Sequence, residues 1–239
     1  MSEARKTADG SLTLYSDRYR QTMHSERGAV AEARHVFLEG AGVTDRLREQ
    51  GDARVLEVGF GAGLNFLVTA DLALALGAPL AYVALERDLL SADTLRDLEY
   101  GRFLTRPGLF GALLEARAAL PAKPAPGRYV LPVTSGVRLE VRLGEATAQT
   151  LEPNTYHAVY QDAFSPDTNP ELWAAGFLGM LVHALAPGGR LSSYSVQGDV
   201  RRRLSGLGCE VAKRPGPPGG KREMLVARKP PESTVRHRR

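Results

Sequence analysis

Cysteine is almost absent: the 239-residue chain carries one, Cys209. A lone thiol excludes an internal disulfide framework and an all-cysteine metal cage, and it fits a reducing compartment. The five histidines, His24, His35, His157, His183 and His237, never fall at H-x-x-x-H or a similar ligand spacing, so no metal is expected. Long apolar runs are missing as well. The uncharged stretch 72–85 falls short of the ~20 apolar residues a membrane span needs, and Gly77-Ala78-Pro79 interrupts it, so no membrane partner is expected. No apolar core follows the polar, charged start MSEARKTADG. A signal peptide is therefore not expected, and a cytoplasmic location is the default.

What is present is the composition of a folded domain. Hydrophobic content of 43% and charged content of 24% exclude wholesale disorder, and the length suits one sizeable core. The net charge of +4 is unevenly spread: residues 201–239 hold twelve Lys and Arg against Glu210, Glu223 and Glu232, a balance of +9, which leaves residues 1–200 at −5. That polarity suggests an anionic partner near the C-terminal part, with nucleic acid the leading candidate. For Arg236, His237, Arg238 and Arg239 a solvated basic tail is an equal reading.

Hydrophobic patterning predicts a short strand at Ser11–Tyr15 and a helix at Ala29–Leu38. A regular alternation follows: strand Arg54–Val58, helix Leu64–Leu76, strand Leu80–Leu85, then helices Leu89–Tyr100 and Leu109–Leu120. Tyr129–Leu143 reads as a hairpin turning at Thr134-Ser135-Gly136, with strict alternation in its second arm. Strand His157–Tyr160, helix Glu171–Leu185, strand Arg190–Tyr194 and helix Val200–Leu207 come next, and strands Glu210–Arg214 and Met224–Arg228 close the chain. Strands alternating with helices indicate an open, mostly parallel α/β sheet of the Rossmann-like kind. The last two strands, with no helix between them, predict an antiparallel hairpin at one edge. Three regions are expected: a small N-terminal extension 1–50 packed on the catalytic domain, that domain at 51–229, and a basic tail 230–239.

The strongest local signal is Val55-Leu56-Glu57-Val58-Gly59-Phe60-Gly61-Ala62-Gly63-Leu64-Asn65, an apolar strand running into alternating glycines and then a helix. A dinucleotide loop needs G-x-G-x-x-G, but counting from Gly59 or Gly61 the sixth position is Leu64 or Phe66. A phosphate-binding loop fails too, because no Gly-Lys-Ser/Thr follows. The remaining pattern, Glu-x-Gly-x-Gly-x-Gly, resembles the first motif of class I S-adenosylmethionine-dependent methyltransferases. The resemblance implies that Gly59, Phe60, Gly61, Gly63 and Asn65 pack against this cofactor and that Glu57 lies near its amino-acid end. Glu86, at the end of the next strand, is placed to accept hydrogen bonds from both ribose hydroxyls; a surface acid paired with Arg87 is the alternative. Glu145 and Ala146 follow the third sheet strand, where related enzymes hold adenine, although an acid at a helix start also has an ordinary stabilising role.

The fourth strand ends in Gln161-Asp162-Ala163-Phe164-Ser165-Pro166, at the sheet edge where such folds carry out chemistry. An amine nucleophile arrives mostly as ammonium, so a carboxylate there can orient it and accept its proton. Asp162 is the candidate for that role and for a contact with the cofactor, and Phe164 is the candidate to stack on a base. The competing reading makes Asp162 a turn cap and Phe164 a core residue.

Three segments together narrow the resemblance: residues 58–67, Asp162-Ala163-Phe164-Ser165-Pro166 with Asn169-Pro170 and Trp173, and Lys221-Arg222-Glu223-Met224. With Tyr15-Ser16-Asp17-Arg18-Tyr19 and the segment 32–38, they are similar to the methyltransferase domain of the tRNA 5-methylaminomethyl-2-thiouridine biosynthesis family over roughly residues 12–228. The resemblance implies methylation of the amine of 5-aminomethyl-(2-thio)uridine at the wobble position, with the tRNA anticodon arm as partner. Tyr15, Glu32, Phe164, Pro166, Lys221 and Arg222 are the implied substrate-side residues. Lys221 and Arg222, with Arg201, Arg202, Arg203, Lys213 and Arg214, are candidates for phosphate contacts. The family's bifunctional form carries a flavin oxidase; no flavin fingerprint occurs here, so FAD is not expected and a stand-alone methyltransferase is. Two positions depart from the pattern: Ala62 replaces threonine, and Ala41 replaces an asparagine. Two other functions remain open, a methyl- or aminopropyltransferase for a small amine and a catalytically silent RNA- or protein-binding module. No signal for oligomeric state is present.

Overall fold

The computed structural model describes residues 3–231. The first strands, β1 (Glu3–Lys6), β2 (Leu12–Ser16) and β3 (Gln21–Thr22), form a small antiparallel sheet in the order β1-β2-β3. Helix α1 (Ala29–Glu32) opens directly into a wider π-helical stretch, Ala33–Glu39, where a single α-helix was expected. The extra residue per turn lets Ala33, Val36, Phe37 and Leu38 all be buried, and Phe37 lies 5.6 Å from the ring of Tyr160. Helix α2 (Val43–Glu49), which patterning missed, begins after Gly42 and buries Val43 and Leu47, one turn apart.

The alternating part runs β4 (Ala53–Val58), α3 (Leu64–Leu76), β5 (Leu80–Glu86), α4 (Ala92–Arg96), α5 (Gly108–Ala118), β6 (Gly127–Thr134), β7 (Val137–Leu143), β8 (Tyr156–Gln161), α6 (Ala175–Ala184), β9 (Leu185–Ser193), α7 (Gly198–Gly206), β10 (Glu210–Pro215) and β11 (Glu223–Arg228). Two expected helices are shorter than their patterns. In place of Leu89–Tyr100 there is only α4, capped by Ser91, because Glu99 adopts a left-handed conformation and a 3-10 turn, Tyr100–Phe103, follows. The expected helix Glu171–Leu185 splits into a 3-10 turn, Pro170–Trp173, and α6, with extended Ala174 between them. The break fixes Trp173, whose indole N–H donates to the Phe164 carbonyl at 2.8 Å. Strand β9 starts at Leu185 rather than Arg190, with an irregularity opposite Tyr156–Ala158.

The eight-stranded sheet has the order β10-β11-β9-β8-β4-β5-β7-β6. Strands β7, β5, β4, β8 and β9 are parallel, and antiparallel strands close both edges: β6 on one, and the hairpin β10–β11 on the other. This is the expected α/β architecture, including its C-terminal hairpin. Strand β4 is central and almost continuously buried, as a strand covered on both faces must be. Leu14, Val30, Phe37 and Leu47 of the N-terminal segment share one buried cluster with Val55, Phe66 and Tyr82, so this segment packs on one face of the sheet. The order reverses at β4, between β5 and β8, and the crevice beyond those strand ends is where such a sheet leaves room for a ligand. Of the basic tail, residues 232–239 lie outside the described residues, among them Arg236, His237, Arg238 and Arg239.

Candidate active site

A cavity of about 1060 Å³ opens at the C-terminal ends of β4, β5, β7 and β8. At the end of β4 the chain turns through Gly59, Phe60 and Gly61 along the cavity wall. The three glycines are there for different reasons. A Cβ on Gly59 (φ +88°) would lie 2.9 Å from the backbone oxygen of Asp162, so the loops after β4 and β8 could not sit together. A Cβ on Gly63 would strike Phe60, 2.9 Å away. Gly61 (φ +51°) alone faces open space, with only the Met23 sulfur at 3.7 Å. Phe60 is itself buried beside Phe66, with its ring centroid 6.3 Å away.

Glu57 and Asn65 lie beneath this loop, are buried, and do not line the cavity. The Asn65 amide Nδ2 donates to Glu57 Oε1 at 2.8 Å and to Asp162 Oδ2 at 2.7 Å, tying two acids through one side chain. Burial pushes the Glu57 carboxyl from its ordinary 4.5 up to about 8; Asn65 and Tyr82 pull against this, and the charge of Glu86 adds to it.

Glu86 ends β5 and lines the cavity beside Gly61. Its Oε1 accepts from the backbone N–H groups of Arg87 (2.7 Å) and Asp88 (2.8 Å), and its Oε2 from that of Gly61 (2.9 Å). An ionised carboxylate has about four acceptor sites, so one place on Oε2 is left for a further donor without rearrangement. Arg87 does not pair with Glu86 but with Glu145, at 3.0 Å across the cavity rim. Glu145 and Ala146 both line the cavity.

At the end of β8, Asp162 faces the inner end of the cavity, with Glu32 of α1 beside it. Burial raises Asp162 well above the usual carboxylate range; the charges of Glu32 and Glu57 add to that, and Asn65 and Lys221 oppose it. Glu32 is buried too, accepts from Ser25 N at 2.8 Å, and is raised chiefly by burial. Phe164 stacks on Tyr19 of the β2–β3 turn, with centroids 4.3 Å apart. Gln21 of β3 holds the same loop, donating from Nε2 to Ser165 Oγ (2.7 Å) and Thr168 Oγ1 (2.9 Å). Arg18 reaches across to Asp88 at 3.0 Å, so the β2–β3 turn straps the cavity from one wall to the other. Tyr15 lines the cavity under the Arg5 guanidinium, 4.3 Å from its ring centroid. Pro166 is half-buried and lies away from the cavity wall.

The basic residues divide in a way their sequence positions hide. Lys221 seats its Nζ 4.0 Å from the Tyr194 ring centroid, and both it and Arg222 line the cavity. Arg203 is committed to the Trp173 carbonyl (2.7 Å), Lys213 to Glu223 (2.8 Å) and Arg202 to Asp199. Arg5, Arg18, Arg20 and Arg27 of the N-terminal segment line the cavity as well. Sequence reasoning missed them because residues 1–200 carry a net negative charge. It also missed Tyr19, Gln21 and Tyr194, of which only Tyr19 fell within a quoted motif. The result is a mouth where arginines stand among the acids Glu26, Asp88 and Glu145, over an inner end lined by Glu32, Asp162 and one lysine, with Glu57 beneath it. Acids outnumber the lysine there and burial opposes charge on all four, so a cationic ligand would offset the cost of ionising the acids.

The profile of the S-adenosyl-L-methionine-dependent methyltransferase family matches residues 113–230. The tRNA 5-methylaminomethyl-2-thiouridine biosynthesis bifunctional protein MnmC of Ralstonia nicotianae is 37% identical over 224 residues, covering 90% of this chain and 33% of that protein. Its counterpart in Paracidovorax citrulli is 38% identical, again over 90% of this chain and 34% of the relative. The chain thus spans about a third of the length of these curated relatives. The crystal structure of MNMC2 from Aquifex aeolicus superposes with a TM-score of 0.76 at 28% identity, covering 97% of this chain and 72% of that one. A probable spermidine synthase from Corynebacterium glutamicum, with a TM-score of 0.51 and 16% identity, shares the fold.

Proposed function

The chain belongs to the S-adenosyl-L-methionine-dependent methyltransferases, and from that premise we propose that it methylates the amine of 5-aminomethyl-(2-thio)uridine at the wobble position of tRNA. The observation that carries this reading is the placement of Asp162, half-buried at the inner end of a cavity whose other walls are the Gly59–Gly61 loop and Glu86.

The residues present fit the cofactor. Gly61 leaves space that a side chain would fill, Glu86 keeps one acceptor site for a hydroxyl, and the acidic inner end suits a ligand bearing a sulfonium and an ammonium. Gly59, Phe60, Gly61, Glu86, Glu145 and Ala146 would line its place, while Glu57 and Asn65 act from below through Asp162. When bound, the cofactor supplies an electrophilic methyl group on sulfur.

The chain's own part is to deliver the acceptor as a free amine, aligned and dry. Asp162 holds the incoming ammonium by a charged hydrogen bond and accepts its proton at a carboxylate oxygen. Burial that raises Asp162 brings its proton affinity nearer to that of an amine, which lowers the cost of the transfer. Phe164 and Tyr19 present an aromatic pair on which a uracil extruded from a single-stranded loop can stack. The arginine rim meets the phosphates of the anticodon arm, separating the anionic backbone from the acidic centre.

The test is nucleoside mass spectrometry of tRNA carrying the aminomethyl group, incubated with enzyme and methyl-labelled cofactor. Label in 5-methylaminomethyl-(2-thio)uridine is expected. Label appearing only in an added small polyamine would replace this reading with that of a small-amine transferase. Absence of cofactor binding by calorimetry would favour a catalytically silent module.

A further inference from the structure

The loop joining β10 to β11 is built to bring one side chain inward. Gly216 N donates to the Arg222 carbonyl at 2.9 Å, and a Cβ on Gly216 would lie 1.9 Å from the Lys221 oxygen. Outside contacts fix the same loop: His35 Nε2 bonds the Pro215 carbonyl at 3.0 Å, and Arg27 donates to the Gly220 carbonyl at 3.2 Å. Lys221 is exposed as a residue, yet its Nζ sits over the Tyr194 ring, and that ring is held by its hydroxyl bond to the Ala163 carbonyl at 2.7 Å. Ala163 directly follows Asp162, so the lysine is registered against the strand end that carries the acid.

We propose that Lys221 is a positioning residue of the reactive centre, an internal ammonium seated on Tyr194 that faces Asp162 and Glu32 and leaves that pair one uncompensated negative charge for the acceptor amine. The inference rests on the reading of this cavity as a methyl-transfer site. Two carboxylates without the lysine would hold a proton between them, because like charges in a buried site do not both ionise. That shared proton then competes with the proton of the acceptor amine for Asp162. The groups facing Asp162 come from every side: Glu57 of β4, Tyr82 of β5, Glu32 of α1, Asn65 of α3, Tyr194 after β9, and Lys221. Lys221 is the only cation among them. The electrostatics agree with the geometry. Burial lowers Lys221, while Glu32 and Asp162 hold it up; Lys221 in turn lowers both acids. A cation on the face of an aromatic ring keeps its charge at little cost in this desolvated place.

Lys221→Met removes the charge at similar length, and Lys221→Arg restores it. In cofactor-free protein, carbon NMR titration of the aspartate carboxyls, with Asp162 assigned by its loss in Asp162→Asn, should show the Asp162 midpoint about one pH unit or more higher in Lys221→Met. Lys221→Arg should bring it back. The acidic limb of the kcat/KM profile should move to higher pH by a similar amount, since a less acidic Asp162 is protonated earlier as pH falls. The KM for tRNA and its salt dependence should stay where they are. An unmoved midpoint and limb, with a raised tRNA KM and a flatter salt dependence, would make Lys221 a phosphate contact and overturn the proposal. Failure of the wild type to bind S-adenosylmethionine would sink the functional reading alone, because the titration still decides whether Lys221 governs Asp162.

Discussion

Two residues of one motif divide between ligand space and chain packing. Gly59 has no room for a Cβ because the Asp162 backbone oxygen is 2.9 Å from where it would be, whereas Gly61 looks into the cavity. Both have positive φ, so a side chain costs roughly 1–2 kcal/mol of backbone strain at either position. Gly59→Ala adds a clash with backbone to that cost. It should lower the melting temperature markedly, while Gly61→Ala should fold and lose affinity for S-adenosylmethionine in calorimetry. Equal affinity in a folded Gly61→Ala protein would remove this loop from the binding site. Glu57 makes a different prediction, in pH. Its folded value of about 8 lies above its ordinary 4.5, so the native protein holds this proton more tightly than the unfolded chain. The stabilisation it contributes is complete below about 4.5 and is lost as pH rises through about 8. Melting temperature should therefore fall across that window, and Glu57→Gln should flatten this part of the curve. Identical pH profiles for the two proteins would show that Glu57 is already ionised in the native core.

At the scale of elements, the strap formed by the β2–β3 turn accounts for how the loop after β8 is held. Gln21 makes two side-chain hydrogen bonds to Ser165 and Thr168, and its Oε1 accepts from Ser165 N at 3.3 Å. Gln21→Ala should speed hydrogen exchange at the Ser165 amide and leave the amides of β8 unchanged. Uniform exchange across both would mean that the loop is held by Trp173 and Tyr194 alone. The strands of the sheet were legible in the sequence because buried parallel strands are short apolar runs between glycine turns, as Arg54–Val58 shows. The glycine motif and strand-end Glu57, Glu86 and Asp162 were legible for the same reason, since each follows such a run. Helix ends were less so. A left-handed Glu99 and an extended Ala174 break helices that the apolar pattern continues through, and neither residue type signals the break. The strap was out of reach: strand β3 has two residues, too few for a period, and Gln21 acts on Ser165 across 144 positions of chain.

At the scale of the whole molecule, charge at the cavity changes with depth, from arginines and their paired acids at the mouth to the acids Glu32 and Asp162 below. Net charge along the chain showed only its polarity, because basic residues such as Arg203 and Lys213 count in a sum but are committed to the protein itself. The same sorting explains how one cavity can face an anionic nucleic acid and a cationic amine together. Its centre is Asp162, and Asp162→Asn tests the account most directly. Asparagine can still accept the Asn65 bond through its amide oxygen, so the loop keeps its shape while the proton acceptor is gone. Single-turnover methyl transfer to tRNA carrying the aminomethyl group, measured across pH, should slow by about 10²–10⁴ in the variant, the scale of a lost general base. Raising the pH should restore part of the rate, since more of the amine is then already free, and affinity for tRNA should be unchanged. An unaltered rate, or a loss confined to tRNA affinity, would contradict the placing of proton transfer at Asp162.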